Sequence, residues 1–76
     1  MKDLVTFLVQ NITGSDDFSV VENAEGDRVE IEIKAERDIL GLIIGKEGKT
    51  IKNIRRILSV KATPEKKIVN ISVSEA

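Results

Sequence analysis

From residue 2 to residue 12, Leu4, Val5, Leu8, Val9 and Ile12 recur at the spacing of one helical face, with Phe7 flanking it. Asn11 to Asp17 supply turn chemistry, and Gly14 stands just past the helix end as a cap. Phe18 to Glu22 is a short β-prone run. Asn23-Ala24-Glu25-Gly26-Asp27 reads as a hairpin turn with its glycine late in the loop. Val29, Ile31, Ile33 and Ala35 then alternate with Glu30, Glu32 and Lys34, the pattern of a strand with one buried and one wet face.

A second helical pattern runs from Glu36 to Gly45 and carries Ile39, Leu40, Leu42, Ile43 and Ile44. Gly41 sits inside it, at a cost of about 1 kcal/mol relative to alanine. A third helix is predicted from Lys49 to Ala62, ending before Pro64, which biases Thr63 away from helical geometry. Lys67 to Ser74 is a last strand, with Val69, Ile71 and Val73 on one face. The order α-β-β-α-α-β with short connections predicts one α+β domain over residues 1–76, its helices covering one face of a three-stranded sheet.

Composition narrows the chemistry. Among 76 residues there is no His, Cys, Trp or Tyr, and there are only two Phe. That inventory cannot build a thiolate nucleophile, an imidazole base, a disulfide or a Cys/His zinc site. No dense Asp/Glu loop of the calcium-binding kind is present. The expectation is a non-enzyme with no metal and no cofactor. The N-terminus lacks the apolar core of a signal peptide, and no apolar run approaches the roughly 18 residues needed to cross a bilayer. A cytoplasmic protein without a membrane partner is expected.

The net charge of −1 conceals an asymmetry. Residues 37–67 hold nine basic and three acidic side chains, a local charge of +6, and the remainder carries −7. A phosphate responds to the local field within a Debye length of about 8–10 Å, so the average misleads.

The stretch Ile43-Ile44-Gly45-Lys46-Glu47-Gly48-Lys49-Thr50-Ile51 places two glycines three apart between two predicted helices. Glycine reaches positive φ and lets another backbone come close. The helix that follows offers free N–H groups and a positive dipole end. At about 100° per residue, Ile51, Ile54 and Leu58 share the core side, with Ile57 at its margin. Lys49, Lys52 and Arg56 gather within about 60° on the opposite side. A G-x-x-G alone arises by chance in about a third of chains this long, so its weight comes from this setting. The plain alternative is a helix–turn–helix corner with solvated lysines. Gly48-Lys49-Thr50 imitates the end of a Walker A loop, but position 43, where the leading glycine belongs, is Ile43.

Ile-Ile-Gly-Lys-Glu-Gly-Lys-Thr-Ile between two helices resembles the I-G-x-x-G-x-x-I core of KH domains. The element order is similar to the type II, prokaryotic topology. Over essentially the whole chain the sequence looks most like the small stand-alone KH-domain RNA-binding proteins of bacteria, the KhpA (YlqC) family. The resemblance implies that Gly45, Lys46, Glu47 and Gly48 clamp the backbone of about four unpaired nucleotides while an apolar groove receives the bases. Lys49 and Thr50 follow at the helix start, and Lys52 and Arg56 are candidate phosphate contacts. Ile44 is a candidate for the groove floor, although core packing explains it more readily. Scarce aromatics argue against a stacking platform. Glu47 puts a carboxylate where a phosphate should pass and should moderate affinity.

The resemblance also implies self-association and pairing with a larger KH-containing protein. Ile57, Leu58 and Val60 are candidates for that surface, and core packing explains them equally well. Two functions are therefore expected to compete. One is a single-stranded RNA-binding protein acting as an RNA chaperone or post-transcriptional regulator. The other is a KH-shaped adaptor working through homodimer or heterodimer formation.

Overall fold

The computed structural model describes residues 1–76. Helix α1 (Lys2–Thr13) buries Val5 and Val9 completely, with Leu4 and Leu8 packed beside them. It stops at Gly14, whose φ of 67° is left-handed and whose N–H donates to the Gln10 carbonyl at 2.8 Å. Phe7 points away from the core and is 61% exposed.

Strands β1 (Phe18–Glu25) and β2 (Arg28–Ala35) form an antiparallel hairpin in which Glu25 faces Arg28. The turn is therefore only Gly26-Asp27, and the expected five-residue turn at residues 23–27 is corrected. Asn23, Ala24 and Glu25 are poor strand formers by side chain. Pairing with Glu30, Val29 and Arg28 nevertheless holds them in the ladder, an outcome strand propensity alone does not decide. Gly26, with φ 62°, takes the first turn position and comes early in the loop.

Helix α2 (Arg37–Ile44) follows, then a 3₁₀ turn over Lys46–Gly48, and then helix α3 (Lys49–Ala62). Strand β3 (Ile68–Glu75) closes the sheet. Pro64 does not force Thr63 out of helical geometry. Thr63 keeps φ −55° and ψ −47°, and its N–H and its Oγ1 both donate to the Ser59 carbonyl while Thr63–Glu65 turns as a 3₁₀ unit. Local hydrogen bonding thus outweighs the pre-proline bias.

The sheet order is β1-β2-β3, with β2 and β3 parallel. Every odd-numbered residue of β2 from Val29 to Ala35 is buried, and their neighbours Val20 and Ile71 complete the covered face. On β1, α1 packs; α3 packs on β3, and α2 bridges the two helices. The core is aliphatic throughout and buries no polar or charged residue. On the other sheet face Glu30, Asn70 and Ser72 are exposed, so the helices cover one face only. At the chain start, the Met1 ammonium lies 3.6 Å from the Glu22 carboxylate and ties α1 to β1.

Candidate nucleic-acid interface

The Gly45–Gly48 loop joins α2 to α3 through a backbone path that ordinary residues resist. Gly45 has φ 75° and ψ 175°, a region essentially restricted to glycine. Gly48 has φ 75° and ψ 16°, ordinary left-handed geometry. Between them Glu47 also takes the left-handed conformation, with φ 57° and ψ 23°. The two glycines have different reasons. A Cβ on Gly45 would run into the Thr50 side chain, 2.6 Å from its Cβ, whereas one on Gly48 would meet nothing within 4 Å.

This path sorts the backbone amides. Gly45 N–H donates to the Gly41 carbonyl at 2.9 Å, Gly48 N–H to Gly45 at 3.2 Å, and Lys49 N–H to Lys46. The N–H groups of Lys46 and Glu47 donate to nothing within the protein. No side chain caps the start of α3, so beyond the Lys49 amide, which Lys46 takes up, the positive end of its dipole faces an outside acceptor.

The cations stand clear of acids. Lys46, Lys49, Lys52, Arg55, Arg56 and Lys61 are all exposed, and none joins an ion pair. Of the basic residues in the positive segment only Arg37 is paired, with Glu75 at 3.9 Å. Lys49, Lys52 and Arg56 lie on the side of α3 away from buried Ile54 and Leu58, along about 10 Å of helix. The positive surface anticipated from spacing is therefore present and unneutralised.

The apolar residues beside the loop and on α3 part company. Ile43 is fully buried, but Ile44 is 36% and Leu42 50% exposed, so the core assignment for Ile44 is corrected. Leu58 is fully buried and cannot form a docking surface, whereas Ile57 and Val60 are 44% and 68% exposed.

Periodicity carried no sign of one further feature, the free edge of β3. Ile68 N–H donates to the Asp27 carbonyl at 2.8 Å and Ala76 N–H to Ala35 at 2.9 Å. Alternate residues of a parallel strand bond to the same neighbour, so even-numbered residues of β3 serve β2. The backbone groups of Val69, Ile71 and Val73 therefore point to the open edge. Both helices that flank the glycine loop pack on this strand.

A sequence profile described as "KhpA/KhpB, KH domain" matches residues 2–73. The chain belongs to this KH-domain family. Over 74 residues it is 32% identical to the RNA-binding protein KhpA of Halalkalibacterium halodurans, covering 96% of this chain and 97% of that protein. The RNA-binding protein KhpA of Chlamydia caviae is 30% identical over 76 residues, covering 99% and 97%. The α-β-β-α-α-β order described above is consistent with a type II KH fold. No helix is long and apolar enough to cross a membrane.

Proposed function

We propose that this protein binds single-stranded RNA without catalysis, gripping the sugar–phosphate backbone with the Gly45–Gly48 loop and the start of α3. The observation that carries this reading is the pair of unpartnered amides on Lys46 and Glu47, set among cations without acidic partners. Backbone amides donate to phosphate oxygens whatever the base sequence, and the cations add long-range attraction. Lys46 and Lys49 bracket the loop, and Lys52 and Arg56 continue the track. Glu47 contributes its amide while its carboxylate opposes the ligand.

Bases of the gripped strand turn towards exposed Ile44 beside the loop and the free edge of β3, where backbone donors and acceptors meet base edges. A single unit of this size reads few nucleotides, so binding is weak and broad. Such a protein acts as an RNA chaperone or post-transcriptional regulator in the cytoplasm. Both relatives are named RNA-binding proteins, in keeping with RNA binding.

A second reading rests on exposed Ile57 and Val60. These apolar residues favour self-association, or pairing with a larger KH-containing protein, and two linked units gain avidity. Anisotropy of labelled single-stranded RNA, titrated with wild type and a Lys46→Asp/Glu47→Asp variant, separates the readings. Salt-dependent binding that is lost in a folded variant supports the clamp. Equal affinity in the variant, or no wild-type binding at tens of micromolar, removes it and leaves the adaptor.

A further inference from the structure

We infer that Thr50 is a positioning residue, whose side chain sits on Gly45 and holds the loop in the form that presents the Lys46 and Glu47 amides. This rests on the clamp reading above and assigns a different role to Thr50 from that of its cationic neighbours. The half-buried Thr50 side chain occupies the place where any residue but glycine at 45 would carry its Cβ. The Thr50 atom nearest that place is Oγ1, so the hydroxyl is turned into the loop. Elsewhere Thr6, Thr13 and Thr63 donate their hydroxyls to the carbonyl four residues earlier. For Thr50 that carbonyl belongs to Lys46, which accepts the Lys49 amide instead. Thr50 Oγ1 makes no hydrogen bond within the protein and acts on Gly45 through its shape.

The consequence concerns pre-organisation. Glycine is the residue with most backbone freedom, and its cost of ordering falls on binding unless the free protein has already met it. Packing Thr50 against Gly45 removes alternative loop forms before RNA arrives. A valine keeps the branched shape and loses only the hydroxyl; an alanine removes Oγ1, the atom nearest Gly45, and the branch methyl, leaving only the Cβ against it while favouring the helix.

The test compares Thr50→Val and Thr50→Ala with wild type, using anisotropy of labelled single-stranded RNA over a salt series and ¹H–¹⁵N spectra of the free proteins. Circular dichroism confirms the fold of each. The expected result is affinity within about twofold of wild type for Thr50→Val and about five- to tenfold weaker for Thr50→Ala, following lost pre-organisation. The salt slope stays unchanged in both, because no phosphate contact is removed. The Lys46 and Glu47 amide signals shift or broaden in Thr50→Ala alone. Equal weakening by both substitutions shows that the hydroxyl contacts RNA and overturns the inference. So does wild-type affinity or an unperturbed loop in Thr50→Ala. If the wild type binds no RNA, the clamp fails, and the loop spectra still decide whether Thr50 orders it.

Discussion

Gly45 and Thr50 share one small volume: a Cβ on residue 45 would lie 2.6 Å from the Thr50 Cβ and 3.0 Å from its backbone nitrogen. Residue 45 must therefore be glycine twice over, for its backbone angles and for its neighbour. At Gly48 only the angles matter.

That difference yields a contrast between two substitutions. Gly45→Ala is expected to distort the loop, cost about 2–3 kcal/mol and abolish RNA binding. Gly48→Asn, placed where asparagine is tolerated, should cost less than about 1 kcal/mol and retain measurable binding. Urea titration and RNA anisotropy on both variants check this.

The salt dependence of binding counts phosphate contacts. Each contact to a single strand contributes about −0.7 to the slope of log K against log salt. Removing two cations with Lys52→Ala/Arg56→Ala should flatten the slope by about 1.4 while leaving the thermal midpoint within a few degrees. An unchanged slope places the RNA off this side of α3.

Glu47 is unfavourable on two counts, its left-handed backbone and its charge. Asparagine adopts that backbone more readily, so Glu47→Asn should raise stability by about 0.5 kcal/mol. A carboxylate about 6 Å from a phosphate costs about 0.7 kcal/mol in water, so the same variant should bind RNA about threefold more tightly at low salt. Chemical denaturation and anisotropy report the two effects separately.

Gly41 has negative φ, is exposed, and would bring a Cβ within 4 Å of nothing. Gly41→Ala should stabilise the domain by about 0.5–1 kcal/mol, raising the thermal midpoint by a few degrees. A calorimetric scan measures the gain. Weaker RNA binding in this more stable variant would show that RNA passes close to the α2 backbone.

Exposed and buried positions on α3 should respond differently to charge. Ile57→Asp/Val60→Asp is expected to fold and to be monomeric by light scattering where wild type associates. Leu58→Asp should fail to fold, because its carboxylate would lie unpaired in an aliphatic core. A wild type that stays monomeric at high concentration removes self-association and leaves the adaptor reading only as pairing with a different protein.

The order of elements and the limits of α3 were legible because hydrophobic period, glycine position and Pro64 are local signals. The glycine motif and the unneutralised positive stripe were legible for the same reason, since spacing along one helix determines which side chains share a side. Other features were hidden. Strand β1 reaches Glu25 only because β2 lies beside it. The alternation of β2 revealed one buried face but could not reveal that β2 is central or that β3 pairs with it in parallel.

Sequence by itself determined the helices and strands, the loop's need for glycine and the clustering of positive charge. Tertiary structure decided that Leu58 is buried while Ile57 is not, that Ile44 is partly exposed, that β3 offers a free edge, and that Thr50 rests on Gly45. The physical reason is the range of the forces involved. Backbone angles and helical spacing act over a few residues, whereas burial and contact depend on which surfaces the folded chain brings together.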